Sequence, residues 1–257
     1  MILRRVIEHV RKQEWTAIWI DLAIVVVGVF IGIQVSNWNA ERSERVLEAR
    51  YLGSLAEDIR SDIREIDTTI EVSLWRMSVL EELAFKASGE PVPAGFRIGD
   101  VAVPANAVPP YTDTENKAVG LALVYMRTLD GNRSTYETLI NTGGIGLLRD
   151  PTLLRQVQEY YAAVEEIQDT EKNLVHDKNR TVDAAHDAGF SPMDSRNVAE
   201  LRAIFAGNPR LTATARTLWG GSNYHVTILK DLRFETLFNR ITRADGSSQG
   251  VESSGFG

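Results

Sequence analysis

From Ala17 to Val35 every position is apolar or glycine except Asp21 and Gln34. A 20-residue helix rises roughly 30 Å, the thickness of a bilayer's hydrocarbon core. Trp15, Trp19 and Trp38 flank the run, and indole rings favour the headgroup level. The pattern predicts a transmembrane helix over 15–38. A cleaved signal peptide would carry a shorter apolar core and a small-x-small site behind it. Here the run leads into "QVSNWNAERSER", with no such site. The buried helix of a soluble protein is rarely apolar on every face.

Past the run the period changes. From Glu41 to about Ala87, Ala49, Ala56, Ile63, Ile70 and Met77 fall at heptad position a. Leu52, Ile59, Ile66, Ser73 and Leu80 fall at d, so a long amphipathic helix is expected over 39–87. Leu55, Leu74, Val79 and Leu83 widen the stripe, which favours packing on the chain's own domain in the distal half. Nearer the apolar run, Ala49 and Ala56 suit a coiled coil between two copies.

Five prolines and three glycines between Gly89 and Pro110 make 88–112 a loop, with a short strand in "FRIGDVAV". Loops this long often bind something. The remainder, 113–243, reads as helices. One is expected near 114–129. Another follows the turn "DGNRS", opened by a Ser134–Glu137 capping box and closed by Gly143 and Gly144. A long one is capped by Asp150 with Pro151 in its first turn. A short one lies near 196–206, and a last stretch covers 211–242, where Gly220 and Gly221 are candidate breaks. A polar tail, 244–257, and a basic segment, 1–14, complete the division. The expected fold class is all-α: one N-terminal transmembrane helix continuing into a long amphipathic helix, with an α-helical bundle outside the membrane.

Charge then sets the orientation. Arg4, Arg5, Arg11 and Lys12 precede the apolar run, whereas Glu41, Arg42, Glu44 and Arg45 follow it in mixed sign. The positive-inside rule places the N-terminus in the cytoplasm of a bacterial inner membrane and the bulk of the chain in the periplasm. A net charge of −7 argues against nucleic acid as a partner. The absence of cysteine removes disulfides, thiolate catalysis and Cys-based metal sites.

Within the apolar run, Gly28 and Gly32 form a GxxxG and Ser36 lies one turn further on, while Asp21 stands nearly in line with Gly28. Asp21, Gly28, Gly32 and Ser36 are therefore the candidate self-association stripe. Asp21 has two readings. It is a shallow carboxylate held at the interface by water, Lys12 or a headgroup, or it is an intramembrane acid that binds a partner helix or carries a proton.

The run "DLAIVVVGVFIGIQVSNWNAERSE", followed by "EARYLGSLAEDIRSDI", resembles a family of bacterial single-pass membrane proteins catalogued as a domain of unknown function. Asp21 stands where members often carry Glu, and Gly32, Ile33, Gln34, Asn37, Trp38 and Asn39 stand in its signature. A second block, "STYETLINTGGIGLLRDPTLLRQVQEYY", resembles the same family's later helical hairpin. The resemblance implies a single membrane helix and a helical outer domain, and it implies no activity. "WIDLAIVVV" is also similar to the start of the membrane helix in proton-driven stator subunits, so a proton-channel subunit using Asp21 is the alternative function.

Motifs for catalysis are sparse. His176-Asp177 and His186-Asp187 look like a repeated pair, but their spacing does not converge them on a helix, and there is no HExxH. Asp183 and His186 lack a third ligand nearby. "NTGGIGLL" is a helix stop rather than a phosphate cradle, and no G-x-S-x-G surrounds any serine. Tyr160, Tyr161 and Trp219 are expected in the core. The expectation is a non-enzymatic membrane-anchored protein with no cofactor and no metal. Its partners would be the lipid bilayer, a second copy or another membrane protein, and a periplasmic protein or small ligand. A hydrolase in the outer domain is a third option without a motif.

Overall fold

The computed structural model describes residues 15–232 and 235–244, with the side chains of 15–18, 21 and 235–236 outside that description. The basic segment 1–14 and the tail beyond Ala244 also lie outside the described residues. The fold is all-α, 74% helical with one two-stranded sheet. Residues up to Arg50 form one unit and those from Tyr51 a second.

Helix α1, Trp15–Leu80, begins in the first unit. Over residues 22–33 it is apolar or glycine on every face. Exposure is 64% at Ile24, 60% at Phe30 and 61% at Trp38, and nothing among the described residues covers this surface. The helix is long and apolar enough to span a membrane, with a mean hydropathy of 1.7 in its most apolar window.

From Tyr51 onward the heptad stripe is buried inside the second unit. Leu52, Leu55, Ala56, Ile59, Ile66, Met77 and Leu80 are all buried. Ala56, expected at a contact between two copies, is thus taken up by the chain's own core, and of the two alanines only Ala49 stays exposed. After Leu80 the helix widens into a π-helical turn, Glu81–Phe85, and then a 3₁₀ turn, Lys86–Ser88, which Gly89 closes at φ 73°. Phe85 sets its ring edge-on to Trp219 at 5.4 Å, and the Arg216 guanidinium lies over its face.

The proline-rich loop holds a hairpin rather than one strand. β1, Gly95–Ile98, pairs antiparallel with β2, Val101–Pro104, around Gly99-Asp100. Gly99 has φ 56°, the left-handed turn conformation that glycine adopts without cost. Asn223 pins the loop's far end. Its Oδ1 accepts from the Asn106 amide at 2.7 Å, and its Nδ2 donates to the Pro104 carbonyl at 3.0 Å.

Residues 114–129 do not form the expected helix. A 3₁₀ turn, Val119–Leu123, is the only regular element in the stretch. The apolar run "VGLALVYM" reads as helical, but Gly120 lies against the chain at Pro192. A Cβ there would come within 2.2 Å of the Pro192 carbonyl oxygen. The Arg196 amide also donates to the Lys117 carbonyl at 2.9 Å, so tertiary contacts take this backbone away from a helix.

Helix α2, Ser134–Asn141, starts from Arg133 without the expected Ser134–Glu137 capping box. Its N-terminus is capped from a distance, since Asp58 Oδ2 of α1 accepts from the Thr135 amide at 3.1 Å. Gly143 and Gly144 end α2 as expected, Gly143 at φ 72°, and a 3₁₀ turn, Gly144–Leu147, follows. Helix α3, Pro151–Asp187, opens on Asp150, whose Oδ1 accepts from the Thr152 amide at 2.8 Å. Helix α4, Val198–Ala206, carries a capping box between Asn197 and Glu200.

Helix α5, Pro209–Leu232, continues through Gly220-Gly221 instead of breaking there. A Cβ on Gly221 would lie 2.9 Å from Leu174 Cδ1, so the missing side chain admits close packing of α5 on α3. Helix α6, Glu235–Ala244, buries Leu237 and Ile241. The expected stretch 211–242 is helical over Pro209–Leu232 and Glu235–Ala244, and residues 233–234 lie outside the described residues.

Candidate functional site

The membrane-helix stripe is partly described. Gly28, Gly32 and Ser36 are exposed, and a Cβ on either glycine would meet nothing within 4 Å. Their four-residue spacing keeps them on one face of α1. The backbone of Asp21 is helical, but its side chain lies outside the described residues.

In the second unit a cleft of about 450 Å³ opens between α1 and the end of the proline-rich loop. Glu71, Leu74, Trp75 and Ser78 supply one wall, the i, i+3, i+4, i+7 face that α1 leaves outside its core stripe. Pro109, Pro110, Tyr111, Asp113 and Asn116 supply the other. The two prolines have fixed φ and no N–H groups, so that part of the wall is stiff and presents no backbone donor. The Tyr111 hydroxyl is closed off from solvent, with the Asn116 side chain beside it in a geometry short of a full hydrogen bond. Burial, and then the negative charge of Asp113, push its pKa up, which keeps the phenol neutral and places the Asp113 field on the ring. The volume falls in the range of small-molecule sites.

Beneath the surface is a polar system that sequence reasoning missed. The irregular segment Tyr125–Arg133 leads into α2, and side chains of α1 and α3 satisfy part of its backbone and the first turn of α2. From α1, Arg76 donates to the Tyr125 carbonyl at 2.5 Å. Glu65 accepts from the Gly131 amide, and Asp62 Oδ1 accepts from the Asn132 amide at 2.7 Å. Asp58 accepts from the Asn132 side chain and the Thr135 amide. From α3, Glu171 Oε1 accepts from the Leu129 amide at 2.8 Å, and Gln168 donates to the Leu129 and Asp130 carbonyls. The Tyr161 hydroxyl donates to the Asn132 carbonyl.

His225 of α5 completes this system, its Nε2 standing 2.7 Å from Glu171 Oε1. His225 is fully buried, and its Nδ1 has no hydrogen-bond partner. Arg76 is fully buried too. Its second contact, to the Ser222 hydroxyl, is neutral, and burial lowers its pKa to about 10, so it stays charged at neutral pH. Asp62 is pushed above its ordinary value by burial, against the lowering effect of the Asn132 amide and the Tyr160 hydroxyl. Tyr160 is raised by burial and by Asp62 beside it. One signal in the sequence could have pointed here. Asp58, Asp62 and Glu65 recur at i, i+4 and i+7 next to the buried stripe of α1, and a carboxylate row at that edge calls for donors.

Asp62, Arg76 and Glu171 are buried, and their contacts to residues 125–132 suit holding that segment in place, with the buried His225 against Glu171. Tyr160, Tyr161 and Trp219 are core residues, as expected. His176, Asp183 and His186 are exposed on α3, and no group of three or more His, Asp or Glu is placed to hold a metal among the described residues. No family model, curated protein or solved structure matches the chain.

Proposed function

We propose that this is a non-enzymatic, single-pass membrane protein of the bacterial inner membrane, related to the single-pass family it resembles. Its helical outer unit lies in the periplasm and binds a small ligand or a protein partner. The observation that carries the reading is the surface of residues 19–38. The Val25, Val26 and Val27 side chains are each more than half exposed on successive faces, as are Ile24 and Phe30. In water such a surface is costly at about 25 cal/mol per Å² of apolar area, and in lipid that cost disappears. The basic residues ahead of the run support a cytoplasmic N-terminus. The preformed cleft supports a binding role, and the buried polar system supplies no reacting group to it.

Alkaline carbonate extraction followed by intact-mass measurement tests the anchor. The chain is expected in the membrane pellet with residues 1–38 retained. Recovery in the soluble extract, or a product trimmed after Trp38, would remove the basis of the reading.

The open faces of Gly28 and Gly32 support close approach of a second copy. Gly28→Leu and Gly32→Leu should each lower the signal in a membrane two-hybrid assay several-fold at unchanged expression. If both variants associate like the parent, the stripe is not the interface.

A further inference from the structure

We propose that the cleft between α1 and residues 109–116 binds a small organic ammonium cation from solution. The inference rests on the reading of the outer unit as a binding module and names the chemistry its site would take. Three observations carry it.

The first is charge. Glu71 and Asp113 both line the cleft, and no Lys or Arg is among its lining residues. An anion would meet two carboxylates, and a neutral ligand would leave both without a counter-charge. The second is the character of the walls. Trp75 and Tyr111 are both among the lining residues, and indole and phenol rings attract a cation through their quadrupoles. Leu74, Pro109 and Pro110 supply apolar surface for the methyl or methylene groups of an organic cation, surface that a hydrated metal ion would not use. The third is the enclosed hydroxyl of Tyr111, which has the Asn116 side chain of the same wall beside it in a geometry short of a full hydrogen bond. A ligand carrying its own hydroxyl beside the ammonium group would satisfy it.

The cleft is also preorganised. Asn106 and Asn223 tie the loop to α5 just before Pro109-Pro110. Little ordering is then left for the ligand to impose, which favours binding of a small molecule.

Isothermal titration calorimetry on the full chain in dodecyl maltoside, a detergent without an ammonium group, tests the proposal. Choline is the probe, and its neutral carbon isostere dimethylbutanol is the control. Choline should bind saturably at one site and the isostere at least about tenfold more weakly, the scale of a cation over aromatic faces. Glu71→Gln combined with Asp113→Asn should weaken choline by about tenfold or more. Both positions are exposed, so helical circular dichroism should stay as in the parent. Trp75→Leu should weaken choline while Trp75→Phe retains most of the affinity. Absence of saturable heat with choline would overturn the proposal. So would equal binding of the isostere, or unchanged affinity in the double carboxamide variant. None of these results bears on carbonate extraction or on the two-hybrid signal, so failure here leaves the anchored-module reading separately testable.

Discussion

Replacing Glu171 by Leu should destabilise the outer unit by about 3–5 kcal/mol, the largest effect expected of any single substitution in the polar system. The carboxylate is almost wholly buried, and one oxygen, Oε1, serves both the Leu129 amide and His225 Nε2. Leucine removes both acceptors at once. The amide and the imidazole stay buried, each without a partner, and each carries the desolvation cost of an unmade hydrogen bond. Because the packing around α3 and α5 is dense, water has little room to take the place of the carboxylate. Thermal unfolding of the full chain in detergent, followed by circular dichroism, should show a midpoint lowered by roughly 6–20 °C for a unit of this size. The pairing is tested by a cycle with His225→Phe. If Glu171 and His225 act together, the double variant should lose clearly less than the sum of the two single losses. A Glu171→Leu protein that melts like the parent would contradict the account of the segment at 125–133.

Asp62→Ala is the second large effect, at about 2–4 kcal/mol. Asp62 Oδ1 holds the Asn132 amide and Oδ2 holds the Tyr160 hydroxyl at 2.7 Å, and alanine removes both bonds and leaves the Tyr160 donor in the interior. Asp62→Asn keeps the shape and separates the effect of charge. Burial raises the pKa of Asp62 above the ordinary 3.8, so the folded state binds its proton more tightly than the unfolded chain does. That contribution to stability is fully present below the unfolded value, and it is lost as pH rises through the raised folded value. The asparagine variant does not titrate there. Denaturant unfolding across this window should therefore show Asp62→Asn gaining stability relative to the parent as pH rises. Glu82 works in the opposite sense. Burial acts to raise its pKa, but hydrogen bonds from Lys86 and Arg202 outweigh burial and hold it low. The difference between variant and parent is thus the informative quantity, not the slope of either alone. A difference that is flat with pH would show that Asp62 titrates alike in the folded and unfolded chains.

Both substitutions act on one design, an irregular segment held by side chains of two helices. A stretch outside helix or sheet has no ladder for its N–H and C=O groups, and those turned toward the interior, as at the buried Leu129, must find partners elsewhere. Here Asp58, Asp62, Glu65 and Arg76 of α1 and Tyr161, Gln168 and Glu171 of α3 provide them. The same contacts explain why an all-α unit buries so many charged groups. Arg76 is the exception in kind, because its contacts to Tyr125 and Ser222 are neutral and its charge has no buried carboxylate beside it.

Local pattern was enough for whatever depends on near neighbours in the chain. The apolar run at 17–35, the amphipathic stripe after it, the Asp150 cap with Pro151, and the glycine stop at 143–144 all follow from spacings of a few residues. Helix periodicity and terminal hydrogen bonds are set within a turn or two. That Gly28, Gly32 and Ser36 share one exposed face was legible for the same reason.

Tertiary structure alone decided the rest. Residues 114–129 carry a helix-like pattern, yet partners more than forty positions away claim the backbone at its end. Gly220-Gly221 reads as a break until Leu174 is seen against it, and the N-terminus of α2 takes its cap from Asp58 rather than from Ser134. The cleft exists only because residues 109–116 fold back over the outer face of α1. A side chain's propensity is local, but the satisfaction of a buried polar group and the close approach of two backbones are properties of the assembled interior.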